Sequence, residues 1–230
     1  MKISDIQRYD SKKMYESYDN WAEVAQKNYN KDLPKIQFKN IDHIVFAGVG
    51  GSGTVGDVIS SILSKKNIHT NVVKGYLLPK TVDSNTLIVT TSVSGNSKEI
   101  LTVLQNAKKS KGKLLAFSSG GNMKKYSVKN KISYYQIPEI HSPRASFSGY
   151  VYSILNVLED VIPVKKRDVK ESIDQLVKTK KKISSNNLTN SNPALSLAKW
   201  ISHFPIIYYP SGLHSAAIRF KNSLQENAKM

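Results

Sequence analysis

Two short loops rich in glycine and serine carry the residues best suited to binding an anion. The first covers residues 48–53 (GVGGSG) and the second covers residues 92–97 (SVSGNS). Glycines let backbone N–H groups approach a phosphate closely, and serine hydroxyls donate hydrogen bonds to it without a formal charge. Each loop separates an apolar run from a helical pattern, so a helix N-terminus would add the positive end of its dipole. The two loops therefore predict two walls of one phosphate-binding crevice.

The first loop also matches the G-x-G-x-x-G pattern of dinucleotide-binding proteins. Such a site needs an acidic residue about 20 positions further on, at the end of the second strand, to bind the ribose hydroxyl. Residues 68–75 read IHTNVVKG and contain neither Asp nor Glu. The pattern therefore disfavours a dinucleotide, while a tight turn without any ligand stays open as an alternative.

The second loop has a structural interpretation as well. Asn96 followed by Glu99 fits a helix cap with an acid in the first turn, so Glu99 is interpreted as structural. A cap uses one polar side chain, whereas this loop offers three hydroxyls. The excess of hydroxyls favours a phosphate ligand over capping alone.

The elements that must position these loops alternate along the chain. Short apolar runs predict strands at residues 43–47, 71–74, 86–91, 113–117 and 132–137. Helical spacing predicts helices at residues 11–28, 52–63, 96–109, 122–128 and 145–161. Strands separated by helices predict an α/β fold with right-handed crossovers, a doubly wound parallel-sheet sandwich. Both loops would then lie at the carboxyl end of the sheet.

A second unit is predicted to follow the first. We expect residues 1–162 to form the phosphate-binding domain with its leading helix, and residues 163–230 to form a further, incomplete unit. In that unit the pattern predicts helices at 167–183 and 194–201, a strand at 206–209 and a helix opened by Ser211 and Gly212. A lone strand cannot build a sheet. This unit would therefore pack on the first domain, on a partner, or within a longer chain, and its apolar surface favours a homodimer.

Composition excludes several classes of function. The chain has 230 residues, 40% hydrophobic content, no cysteine and a net charge of +17. Lysine runs at 165–167 and 180–182 flank apolar residues at helical spacing, which is typical of a solvated helix face. No nucleic-acid-binding signature accompanies the charge. Nothing resembles a signal peptide or a membrane span, so we expect a soluble, cytoplasmic protein without metal or cofactor.

Four segments together carry a resemblance to a known family. GVGGSGTVGD followed by SVSGNSKE is similar to the sugar isomerase (SIS) domain. The segments SPRASF at 142–147 and RFKNSLQENAK at 219–229 narrow the resemblance to the bifunctional phosphoglucose/phosphomannose isomerases described from archaea. The motifs occur in the family's order and extend over nearly the whole chain. The second unit would then be a partial second SIS domain.

The resemblance implies an aldose–ketose isomerase that acts on hexose 6-phosphates through an enediolate. It implies substrate contacts by five loop residues, namely Gly51, Ser52, Ser92, Ser94 and Ser97. Arg144 would bind substrate and offset the enediolate charge, and Glu226 would be the catalytic carboxylate. A carboxylate can act as the base if burial brings its pKa closer to the working pH. Ser97 stands where the family has threonine, which keeps the hydroxyl.

The chain departs from the family at its C-terminus. The resemblance implies a histidine after the glutamate and a lysine near the end, yet the sequence stops at Met230. His214 and His141 match neither position. We therefore expect a gene fragment that binds a phosphosugar better than it isomerises one. A non-catalytic phosphosugar-binding protein is the alternative, and a nucleic-acid-associated protein rests on charge alone.

Overall fold

A parallel sheet in the order β2-β1-β3-β4-β5 forms the centre of the molecule. The computed structural model describes residues 1–210 and 212–230. The strands are β1 (His43–Ala47), β2 (His69–Val73), β3 (Thr86–Ser92), β4 (Lys113–Ser118) and β5 (Ser133–Gln136). All neighbouring pairs run parallel. The prediction of a doubly wound α/β fold is confirmed.

Helices follow the strands and continue beyond the sheet. They are α1 (Ile3–Tyr9), α2 (Met14–Asp19), α3 (Trp21–Tyr29), α4 (Gly51–Leu63), α5 (Lys98–Lys109), α6 (Gly121–Lys129), α7 (Phe147–Val157), α8 (Lys166–Ile183), α9 (Pro193–Trp200) and α10 (His214–Ser223). A π-helical turn, Leu224–Ala228, continues α10. These elements place one helical layer on each face of the sheet.

The alternating side chains of the buried strands divide the core between the two faces. Ile44 and Phe46 of β1 join a cluster with residues of α4, α7 and α8. Ala47 of the same strand packs with residues of α5 and α6 on the opposite face. Strands β1 and β3 are buried along their whole length because helices cover both faces. The two glycine- and serine-rich loops therefore follow the two strands that are buried along their whole length.

Several predicted boundaries shift. The expected helix 11–28 is divided at Asn20, which ends α2 and begins α3. The helix expected at 145–161 is shorter, Phe147–Val157. The expected cap at Asn96 is wrong: α5 begins after Ser97, and the Asn96 side chain bonds the backbone instead, with Nδ2 donating to Ser94 O and Oδ1 accepting from Asn122 N. Asn96 thus joins two loops.

The predicted strand at 206–209 is wrong. Within the described ranges this segment is irregular, and the side chains of Ile206 and Tyr208 are 79% and 89% exposed. A strand is stabilised by hydrogen bonds to a neighbouring strand, and none lies beside this segment. The helix expected from Ser211 and Gly212 begins at His214, and Ser211 lies outside the described residues.

Residues after 162 pack onto the first unit. Val169 and Ile173 of α8 are buried in the same cluster as the sheet residues, and α10 lies against α4. The basic residues at 165–167 and 181–182 are exposed, whereas Lys180 is partly buried and its Nζ pairs with Glu23 at 2.5 Å. The interpretation of the lysine runs as a solvated helix face is therefore confirmed. Among residues 1–210 and 212–230, no helix combines the length and apolarity needed to cross a bilayer.

Asn156 in α7 anchors the C-terminal end of α3. Its buried Nδ2 donates to the carbonyls of Asn28, Tyr29 and Lys31 at 2.7–3.2 Å. We expect Asn156→Ala to lower the free energy of unfolding by about 1–3 kcal/mol, because carbonyls at the end of α3 lose their donor. Urea denaturation would measure the loss. Asn190→Ala is the control, since the Asn190 side chain is exposed and makes no hydrogen bond within the described ranges; equal stability of both variants would contradict the assignment.

Candidate active site at the carboxyl ends of β1 and β3

The two loops meet where the chain changes direction across the sheet. From β1 the chain proceeds through α4 to β2 on one side, and from β3 it proceeds through α5 to β4 on the other. The loops after β1 and β3 therefore flank the crevice in which open α/β sheets bind ligands. Ser52 Oγ accepts the Val93 N–H at 3.3 Å, which joins the first loop to the second.

The first loop turns tightly into α4. A Cβ on Gly48 would lie 2.6 Å from the Ser52 carbonyl group, so this turn requires glycine. Strand β2 is followed by Lys74, whose Nζ pairs with the buried Asp57 of α4 at 2.7 Å. Lys74, which is paired with a residue of α4, thus occupies the place where a dinucleotide-binding fold carries its ribose-binding acid. This geometry agrees with the sequence argument against a dinucleotide.

The second loop gathers the three serine hydroxyls ahead of α5. Ser92 is buried, and its Oγ lies 3.1 Å from Ser97 Oγ. Ser94 is exposed at the tip, and its Oγ accepts the Asn96 N–H at 3.3 Å. These hydroxyls precede the N-terminus of a twelve-residue helix, where backbone N–H groups and the helix dipole favour an anion. The arrangement fits a phosphate group.

A third loop, residues 119–122, holds the second loop in place, and sequence reasoning missed it. Ser119 N donates to Val93 O, and Met123 N donates to Gly95 O, both at 2.9 Å. Tyr134 Oη donates to Ser118 O at 3.0 Å, directly before this loop. Burial raises the pKa of the Tyr134 phenol, so it remains a protonated donor. The adjacent glycines at 120–121 were the feature of the sequence that could have indicated this loop.

Gly95 is the point of closest approach between the second and third loops. Its φ is +69°, and a Cβ there would lie 2.0 Å from Gly120 O. We expect Gly95→Ala to weaken fructose 6-phosphate binding at least about tenfold, since the strain must displace the serine loop. Isothermal titration would measure the effect. Gly75→Ala is the matched control, because a Cβ on Gly75 meets nothing within 4 Å; wild-type affinity in Gly95→Ala would contradict the loop's role.

Arg144 and Glu226 form an ion pair although 82 residues separate them in sequence. Arg144 Nη1 donates to Glu226 Oε2 at 3.0 Å. A Cβ on Gly51 would lie 3.6 Å from Arg144 Cα, so the backbone of Arg144 lies beside the first loop. The side chains are 29% and 39% exposed. The π-helical turn that carries Glu226 lies at the surface, so its carboxylate is only partly buried.

Arg219 fixes the backbone that carries Arg144, and sequence reasoning missed it. Its Nη2 donates to Arg144 O at 2.7 Å, and its guanidinium lies over the rings of Trp21 and Phe147. Trp21 Nε1 donates to Ala145 O at 2.9 Å. Arg219 and Glu226 lie about two helical turns apart in one motif, a spacing that places them on one face and was the available signal.

Neither histidine considered from the sequence contacts the ion pair. The ring of His141 bonds Lys12 O through Nε2 at 3.0 Å. The ring of His214 bonds Tyr209 Oη through Nδ1 at 2.8 Å. Glu99, interpreted as structural, lies in the first turn of α5. The structure thus brings together the loops, Arg144 and Glu226, and leaves these other candidates outside.

Comparison with known proteins defines the class. The model of the SIS domain matches residues 37–157, and that of the bacterial phospho-glucose isomerase C-terminal SIS domain matches residues 190–230. The first match covers more than half of the chain. The chain therefore belongs to the SIS domain family.

Curated relatives confirm the narrower resemblance. The chain is 32% identical to the bifunctional phosphoglucose/phosphomannose isomerase of Caldicellulosiruptor bescii, over 94% of this chain and 66% of the relative. It is 31% identical to the protein of that name from Thermoplasma acidophilum, over 82% of this chain and 56% of the relative. The chain thus spans less than two thirds of these relatives.

Solved structures share the fold. The C-terminal domain of glucosamine-fructose-6-phosphate aminotransferase from Francisella tularensis superposes with a TM-score of 0.63. That match has 16% sequence identity and covers 93% of this chain and 66% of the other. At this identity the likeness concerns the fold alone, and it agrees with the parallel sheet described above.

Proposed function

We propose that the protein to which this chain belongs interconverts glucose 6-phosphate and mannose 6-phosphate with fructose 6-phosphate. The observation that carries the proposal is the Arg144–Glu226 ion pair, because the backbone of Arg144 lies against Gly51 at the switch point of the sheet. Relatives with about 30% identity bear the name phosphoglucose/phosphomannose isomerase, which supports the same reaction class. The second loop would hold the phosphate through Ser92, Ser94 and Ser97.

The chemistry needs one base and one fixed positive charge. In the open-chain aldose, the Glu226 carboxylate removes the proton from C2, and the electrons of that C–H bond form the C1–C2 double bond. The carbonyl electrons move onto O1, and the cationic Arg144 stabilises the resulting enediolate. The proton then returns to C1, and the proton of the C2 hydroxyl passes to O1, which gives the ketose. Atoms and charge balance without any added reactant.

A coupled enzyme assay tests the proposal. Fructose 6-phosphate and mannose 6-phosphate are supplied in turn to this chain and to the full natural protein, and the glucose 6-phosphate formed is oxidised by its dehydrogenase to give NADPH. We expect turnover of both substrates by the full protein. Hexose phosphate binding without turnover by either protein would support the non-catalytic alternative, and absence of binding would overturn both.

We further propose a homodimer that acts in the carbohydrate metabolism of the cytoplasm. The support for the dimer is the set of large apolar side chains that stay exposed after α9 begins, including Trp200, Phe204, Ile206 and Tyr208. The absence of cysteine suits a reducing compartment. Sedimentation equilibrium measures the mass, and a monomer at micromolar concentration would contradict the dimer.

A further inference from the structure

A cleft of about 520 Å³ opens beside the Arg144–Glu226 pair. Its volume is in the range that holds small-molecule ligands. The wall that faces the ion pair comes from α1, α2 and the turn between them, and we call these residues, 3–19, the N-terminal wall. The lining residues of the wall are Ile6, Tyr9, Asp10, Met14, Tyr15 and Tyr18. No residue of this wall belongs to the loops or motifs already assigned.

The N-terminal wall is tied to both members of the ion pair. The Lys12 carbonyl bonds the His141 ring at 3.0 Å, just before Arg144 in sequence. Asn227, which follows Glu226, donates through Nδ2 to Tyr18 Oη at 3.4 Å. The Tyr18 ring lies 5.1 Å from the ring of Trp21, which itself bonds the Ala145 carbonyl. These contacts fix the distance between the wall and the site.

Two polar groups on the wall can bind sugar hydroxyls. Tyr18 Oη accepts the bond from Asn227, so its own proton can be donated to a ligand. Asp10 Oδ2 accepts the Tyr15 N–H at 2.8 Å, and its Oδ1 makes no hydrogen bond within the described ranges. The Tyr15 hydroxyl differs, because it already bonds Gln7 and Glu16. The wall thus offers one donor and one acceptor, both half-buried.

The order of groups in the site determines which end of a hexose phosphate meets this wall. Val93, between Ser92 and Ser94 of the second loop, bonds Ser52, and the adjacent Gly51 lies against the backbone of Arg144. The lining of the cleft includes Arg144 and Glu226 but none of those serines. A substrate whose phosphate occupies the serine loop therefore extends past Gly51 and presents C1 and C2 to the ion pair and the wall.

We propose that Asp10 and Tyr18 bind the C1 and C2 hydroxyls and set the preference between glucose 6-phosphate and mannose 6-phosphate. The two sugars differ only in the configuration at C2, so a donor and an acceptor fixed at that carbon distinguish them. A site that hydrogen-bonds a hydroxyl rejects the wrong epimer more strongly than an apolar site does, because its polar groups then lose their partner. The inference rests on the proposed function and deepens it.

Isothermal titration of Tyr18→Phe and Asp10→Asn tests the inference. The ligands are glucose 6-phosphate, mannose 6-phosphate and inorganic phosphate. We expect each variant to change the ratio of the two sugar dissociation constants at least about fivefold, while phosphate affinity stays within about twofold of wild type. Asn keeps the acceptor for the Tyr15 N–H, so the wall should keep its fold, which circular dichroism checks.

Asp174→Asn and Tyr76→Phe are the matched controls, because both side chains are exposed and lie outside the cleft. Unchanged sugar ratios in Tyr18→Phe and Asp10→Asn, with sugar binding retained, would overturn the inference and leave the proposed function standing. A wild-type protein that binds inorganic phosphate but neither sugar would instead overturn the proposed function, and the inference with it. A ratio that changes equally in the controls would also overturn the inference.

Discussion

Replacing Glu226 by Gln is expected to reduce kcat of the full natural protein by about a thousandfold, within the range of general acid–base catalysis. The amide keeps the size of the side chain and an oxygen that can accept from Arg144 Nη1, but it cannot take a proton from carbon. Affinity for fructose 6-phosphate should therefore change little. The coupled assay measures kcat, and isothermal titration measures affinity.

Glu99→Gln is the matched control for this variant. Glu99 lies in the first turn of α5, directly after the serine loop, and is interpreted as structural. The Glu99→Gln variant should retain nearly wild-type kcat. If Glu226→Gln kept more than about a tenth of the wild-type rate, the carboxylate would not be the base that the reaction requires. The isomerase chemistry would then need another group.

Replacing Arg144 by Gln is expected to lower kcat by about a hundred- to a thousandfold, the effect of removing one preorganised stabiliser of an oxyanion. Gln can still donate a hydrogen bond, but it lacks the permanent charge that offsets the enediolate. Arg144→Lys should recover part of the rate, because it restores the charge without the planar fork of donors. Steady-state kinetics of both variants measure the recovery.

The control for Arg144 is Arg167→Gln, which removes an exposed charge on α8. This control separates the local effect from the general loss of basic charge in a chain of net charge +17. Equal rates for Arg144→Gln and wild type would show that the Arg144–Glu226 pair serves stability alone. A loss shared by both arginine variants would point to overall electrostatic attraction of the anionic substrate, and it should then disappear at high salt.

The variants of Glu226 and Arg144 also separate catalysis from binding. Arg144 and Glu226 lie outside the serine loop, so removing either partner leaves the phosphate-binding groups unchanged. Gly95→Ala acts on the opposite end of the site, where it moves the serine loop. If the Glu226 and Arg144 variants lose turnover while Gly95→Ala loses binding, the ion pair is assigned to catalysis and the serine loop to phosphate binding.

The amino-acid sequence by itself determined the sheet and its loops. All five strands read as short runs that stop at glycine, serine or polar residues, and their predicted positions lie within two residues of the observed bounds. The reason is local: a strand buried on both faces leaves a continuous apolar signal, and a helix leaves a periodic one. The phosphate-binding character of the loops can be predicted from their composition, because the backbone N–H groups and serine hydroxyls that would bind the anion lie within the loops themselves.

Only the tertiary structure decided which distant groups meet. The Arg144–Glu226 pair, the clamp of Arg219 on the Arg144 carbonyl and the N-terminal wall all join residues far apart in the chain. No local pattern encodes such contacts, because they depend on how α10 packs on α4 and how α3 packs on α7. The prediction of a strand at 206–209 was wrong for the same reason. Apolar, β-branched and aromatic residues favour a strand, but only a neighbouring strand supplies the hydrogen bonds that stabilise it.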